Sequence, residues 1–130
     1  MATVTAQISL TSTDLLSDDL SISVSTDVTA ANTTGLARRP VTATSGGGSG
    51  TVLFTASDFD APAYLYIKNT DSTASDFIYV YDDTTSGDPV ILKLAGGDWA
   101  FMPLNAGLTL RAYATTNPTL VEFMIIGTDA

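Results

Sequence analysis

The residues of this 130-residue chain best able to do chemistry are its carboxylates: Asp58 with Asp60, Asp71 with Asp76, and Asp82 and Asp83 with Asp88 stand close in sequence, Glu122 is the only glutamate, and histidine and cysteine are absent. Grouped side-chain oxygens suit a hard cation such as calcium. None of these groups follows the hand-loop spacing, however, and Asp beside Ser, Thr or Gly is what a turn requires, because its side chain bonds its own backbone. No metal and no other cofactor is therefore expected. Catalysis at neutral pH usually needs a group that exchanges a proton there. Without His or Cys, Ser-His-Asp and Cys-His nucleophiles and nitrogen- or sulfur-ligated zinc sites fall by composition. A glycosidase needs two carboxylates across a cleft, and a single Glu among turn-type Asp residues is a poor source. The Gly-rich stretch TSGGGSG at 44–50 lacks the GK[ST] ending and opens no helix, so it is not a phosphate loop. The expectation is a protein that is not an enzyme.

The elements that must position these residues are short strands. Residues 63–82, AYLYIKNTDSTASDFIYVYD, read as two strands and a polar turn. Alternation puts Tyr64, Tyr66 and Lys68 on one face of the first and Leu65 and Ile67 on the other. In the second, Phe77, Tyr79 and Tyr81 oppose Ile78 and Val80. Closed as a hairpin with Asn69 opposite Asp76, one register pairs Tyr66 with Tyr79, Tyr64 with Tyr81, Leu65 with Val80 and Ile67 with Ile78. If the aliphatic face is the buried one, four tyrosines with polar tips meet water or a partner, and tyrosine is enriched at interfaces. Such a face suits a contact between proteins first and a sugar platform second.

Elsewhere, Ala6, Ile8 and Leu10 alternate with Gln7 and Ser9, and Leu20, Ile22 and Val24, continuing to Val28, alternate with serines; both read as half-buried strands. A single helical turn is expected at Ser12 or Thr13. Residues 36–42 are extended and contain Arg38 and Arg39, one facing outward and the other toward a neighbouring segment or subunit. Pro40 places this strand at an edge. Residues 51–55, 90–94, 98–104 and 108–114 continue the pattern, with Trp99 and Phe101 opposite Met102 and Leu104 and with Pro103 again marking an edge. The stretch LVEFMIIG at 120–127 is apolar on both sides except at Glu122, as a central strand would be. Nine or ten such segments, spaced by turns, specify an all-β fold, an antiparallel β-sandwich and most plausibly a jelly roll. The expected organisation is a single β-sandwich domain over 1–130, with 1–19 an N-terminal arm and 44–50 a flexible Gly/Ser loop.

Net charge is −9 with five basic residues, which disfavours nucleic acid and anionic membrane as partners. No apolar run approaches the length of a membrane helix, and the first ten residues lack the basic and apolar regions of a signal peptide. Charged residues make up only 15% of the chain. A surface of Ser, Thr and Ala loses little rotamer entropy when another protein covers it.

Three stretches together, AYLYIKNTDSTASDFIYVYD, a Gly-Gly turn into GDWAFMPLNAGLTLRAYATT, and VEFMIIGT, resemble small virion proteins of tailed bacteriophages, especially phages of marine bacteria and cyanobacteria. In that pattern a strand with KNTD precedes a GxWAFxP strand, and the chain ends on a central apolar strand and GT. The resemblance covers residues 51–128 and, more loosely, the Ser/Thr-rich start. It implies a β-sandwich virion structural protein on the capsid surface, of the cement or decoration type. Such a subunit would be a homo-oligomer, with a trimer favoured, bound to the major capsid or other virion proteins. A tail or fibre component, or a carbohydrate-binding module, is the alternative. The motifs specify a scaffold and carry over no catalytic residue. Interface candidates are Tyr64, Tyr66, Tyr79, Tyr81, Arg38, Arg39 and Trp99.

Overall fold

The computed structural model describes residues 2–15, 17–30, 32–43, 50–55, 59–83, 88–105, 107–115 and 119–129. Residues 44–49, where a flexible loop is expected, lie outside that set. The described chain is all-β, with no helix. It divides into two compact units, Met1–Ala31 and Asn32–Ala130.

The first unit is a two-stranded antiparallel ribbon of β1 (Ala2–Ser12) and β2 (Leu20–Ala30), paired in unbroken register from Ala2↔Ala30 to Ser12↔Leu20. The expected arm at 1–19 is thus half of a hairpin that runs on to Ala30. Among the described residues there is no helical turn at Ser12: its hydroxyl oxygen accepts the N–H groups of Asp14 (3.3 Å) and Leu15 (3.1 Å), a side-chain-capped bend after β1.

The second unit is a sandwich. Its strands are β3 (Asn32–Thr33), β4 (Ala37–Val41), β5 (Thr51–Phe54), β6 (Phe59–Asn69), β7 (Ile78–Asp82), β8 (Val90–Leu94), β9 (Trp99–Leu104), β10 (Leu110–Ala114) and β11 (Thr119–Asp129). One sheet runs β4-β11-β6-β9, with β3 prolonging β4 along the same edge of β11; the other runs β5-β10-β7-β8. All neighbours are antiparallel. From β4 onward the chain changes sheet at every connection except that between β7 and β8. As Pro40 and Pro103 require, β4 and β9 are edges, and the apolar β11 is central between β4 and β6.

Alternation decides what faces inward. Val41, Ala63, Leu65, Ile67, Leu104, Val121, Phe123 and Ile125 from the first sheet and Leu53, Ile78, Val80, Leu94, Leu110, Ala112 and Ala114 from the second belong to one buried cluster. The aliphatic faces at 63–82 are therefore inside, as expected. The hairpin itself is not there. β6 pairs with β11 and β9, whereas β7 pairs with β10 and β8 in the other sheet. Leu65 and Ile67 line the opposite wall of the core from Ile78 and Val80, and the register Tyr66 to Tyr79 does not exist. Period-2 alternation names the inward face of each strand equally well whether two strands lie side by side or across the core from one another.

Two devices close the sandwich. Asn69, fully buried, donates through Nδ2 to the carbonyls of Asp76 (2.7 Å) and Leu94 (3.1 Å) and accepts the N–H of Asp71 at Oδ1 (3.1 Å), so the end of β6 is fastened to both ends of the crossover and to β8. At the opposite edge Arg39 leaves β4, passes 5.7 Å from the Phe123 ring and donates to the Val52 carbonyl of β5 (2.7 Å).

Candidate functional site

Outward-facing side chains of the β4-β11-β6-β9 sheet form rows across four strands. Register places Arg38 opposite Glu122, Glu122 opposite Lys68, and Lys68 opposite Trp99; the next row sets Met124 opposite Tyr66 and Tyr66 opposite Phe101. Arg38 grips one Glu122 oxygen with Nε and Nη2, each at 2.8 Å, and the Tyr66 hydroxyl donates to the other at 3.2 Å. Arg38 holds the Glu122 carboxyl below the usual carboxylate range, with the Tyr66 hydrogen bond acting in the same direction. Burial, then the bond to Glu122, pushes the Tyr66 hydroxyl above 10.0. The Tyr64 ring lies parallel to that of Phe101 at 5.9 Å. At the end that carries Trp99 and Leu120 the face is open and apolar: Trp99 is 56% exposed, and Leu120 is 47% exposed opposite exposed Pro40.

The outer face of the other sheet is built differently. Tyr79 stacks on Tyr113 at 4.8 Å, and the Lys93 ammonium sits 4.0 Å from the Phe77 ring centre and 5.6 Å from that of Tyr79. Tyr81 is 1% exposed. Its hydroxyl accepts the Gly50 N–H (3.1 Å), and burial pushes its pKa above 10.0. A side chain at Gly50 would come within 2.6 Å of that hydroxyl. Arg111 completes the cover, bonding Asp83 (2.6 Å) and the Gly50 carbonyl (2.9 Å).

The single four-tyrosine face is thus overturned. Tyr64 and Tyr66 belong to one outer surface, Tyr79 to the other, and Tyr81 is withdrawn from contact because Gly50 covers it. Of the remaining candidates, Arg38 and Trp99 join Tyr64 and Tyr66 on the first surface, and Arg39 is committed to β5. Glu122, Lys68, Phe101 and Leu120 complete that surface without having been singled out. Their outward parity is readable from alternation, but their alignment needs a strand order that alternation lacks.

Among the described residues no group of three His, Cys, Asp or Glu side chains is placed to hold a metal ion. Turn duty is visible for Asp71, which accepts the Thr73 N–H (2.8 Å), and Asp98, which accepts that of Ala95 (3.0 Å), while Asp83 is paired with Arg111. Asp58 lies outside the described residues. A shallow hollow beside the ribbon turn, lined by Thr11, Ser12, Thr13, Asp19, Leu20 and Ser21, offers one carboxylate. Comparison with family models, with curated proteins and with solved structures returned no match.

Proposed function

We propose that this chain is a non-enzymatic structural protein of a bacteriophage virion, a cement or decoration subunit whose outer β4-β11-β6-β9 face lies across neighbouring shell subunits. The observation that carries the reading is that face: Leu120 and Trp99 are exposed toward one end, the Tyr64–Phe101 stack lies toward the other, and the row from Arg38 through Glu122 and Lys68 to Trp99 crosses between Leu120 and that stack. Aromatic and Arg anchors within an apolar surface are what a protein partner uses. Contacts spread over several shell subunits would have to break before the shell opens, which is how cement stabilises a head. The jelly-roll reading is supported by the strand orders 4-11-6-9 and 5-10-7-8, with every connection but one passing between sheets. That fold serves capsid proteins and also lectins, so the weight rests on the face and on the virion resemblance.

Electron microscopy of the particle that contains the chain tests this. The expected map places copies on the head exterior with Trp99 and Leu120 against shell subunits; copies confined to the tail, or this face turned to solvent, would refute it. The runner-up, a glycan-binding tip, is favoured by the exposed Trp99 indole beside the Tyr64–Phe101 stack. Glycan-array binding lost on Trp99→Ala would replace the cement reading.

A further inference from the structure

We infer, resting on the cement reading, that the partner surface laid on the outer β4-β11-β6-β9 face is acidic and brings an Asp or Glu carboxylate to the ammonium of Lys68. The chain has five basic side chains, and four are committed internally. Arg38 grips Glu122, Arg111 bonds Asp83 and the Gly50 carbonyl, Arg39 donates to the Val52 carbonyl beside the Phe123 ring, and Lys93 lies over the rings of Phe77 and Tyr79. Among the described residues, Lys68 is the one basic side chain without a hydrogen bond, an ion pair or a ring beneath it.

Its position makes that leftover charge matter. Lys68 stands half-buried on β6, opposite Glu122 on one side and Trp99 on the other, one row from the exposed Leu120–Pro40 pair. Glu122 cannot serve it, because Arg38 holds one carboxylate oxygen and the Tyr66 hydroxyl the other. Arg38 is accordingly the chief charge that keeps the Glu122 carboxyl low, and Lys68 the least of its influences. Asp71, three residues on, and Asp98, beside Trp99, accept the turn N–H groups of Thr73 and Ala95.

A partner that covers Trp99 and Leu120 therefore takes water from an ammonium that no internal anion compensates. Burying a charge unpaired is strongly unfavourable, and a second cation there would be worse, so the surface that fits supplies the anion. A phosphate backbone has the anion but not the apolar surroundings that Trp99, Leu120 and Pro40 require. A protein surface with one carboxylate among apolar side chains has both. The net charge of −9 repels such a surface at long range, but screening confines that repulsion to about 8 Å at physiological salt.

Particles assembled without this chain, titrated with the recombinant chain, test the pairing. Lys68→Met keeps an aliphatic stem on the sheet and removes the charge; it should weaken binding at least ~10-fold. Lys68→Glu should bind more weakly still, since it sets two carboxylates face to face. Lys93→Met, which removes the same charge from the other sheet, should bind as wild type does, and a loss equal to that of Lys68→Met would make net charge the cause and overturn the pairing. Trp99→Ala separates the pairing from the reading beneath it. Binding lost in Trp99→Ala but kept in Lys68→Met or Lys68→Glu would mean that the face docks on a surface that is not acidic, and the pairing alone falls. Binding unchanged in all of these variants, or particles left bare by the wild-type chain, would remove the cement reading and the pairing together. The map of the decorated particle is a second check: a shell carboxylate within about 4 Å of Lys68 Nζ supports the pairing, and a docked face with no acid there overturns it.

Discussion

Removing the Asn69 side chain should loosen the sandwich at the end where the chain leaves β6 for the other sheet. Three hydrogen bonds converge on this fully buried amide, two donated to the Asp76 and Leu94 carbonyls and one accepted from the Asp71 N–H. At about 1 kcal/mol net for each bond, Asn69→Ala should cost about 3 kcal/mol. For a unit of this size that corresponds to a fall of roughly 10–20 °C in Tm. Asn69→Asp should cost more, since a carboxylate oxygen would then face carbonyl oxygens across hydrogen-bonding distance with no proton between them. Urea unfolding followed by far-UV circular dichroism is the suitable assay. Trp99 fluorescence is a poor probe, because the indole is already 56% exposed in the folded state. The midpoint should drop with the slope unchanged, the signature of lost native stability without a change in the surface exposed on unfolding. A loss below about 1 kcal/mol, or an Asp variant as stable as wild type, would show that the amide does not fasten the two sheets.

Two further substitutions probe neighbouring parts of the same scaffold. At Gly96 an added Cβ would fall on the Thr73 carbonyl oxygen, so Gly96→Ala should destabilise by about 2 kcal/mol in the same urea assay; an unchanged midpoint would mean that the 70–77 crossover is not held against the turn after β8. Glu122 has a folded-state pKa below its ordinary value of 4.5, so its contribution to stability is present above that value and is lost as pH falls through the lowered one. Glu122→Gln should therefore flatten the acid limb of the Tm-against-pH curve without changing its shape at neutral pH, and an acid limb identical to wild type would remove the Arg38–Glu122–Tyr66 link as its cause.

Much of the candidate surface was legible locally. Pro40 and Pro103 marked edges because each lacks a ladder donor, and Leu65, Ile67, Ile78 and Val80 were inward because they alternate with polar or aromatic neighbours. Alternation also set Trp99 with Phe101 and opposite Met102 and Leu104, and the structure shows that the Trp99 side is the outer one. Tyr81 shows where this stops: its parity is outward, yet Gly50, thirty-one positions away in sequence, covers it. The four tyrosines likewise obey alternation and still end on different surfaces.

From the amino-acid order alone came the strand class, the two alternating faces of most segments, the edges at Pro40 and Pro103, and the absence of the groups most catalysis needs. Those properties are local: they depend on side-chain period, on one missing N–H, and on which residue types are present. Only the tertiary structure decided that β6 and β7 belong to different sheets, that Arg38, Glu122, Lys68 and Trp99 align in one row, and that β1 and β2 pair as a ribbon of their own. Strands recognise one another through backbone N–H and C=O groups that are alike at every position, so the choice of neighbour is settled by how all the inward faces fill a common core.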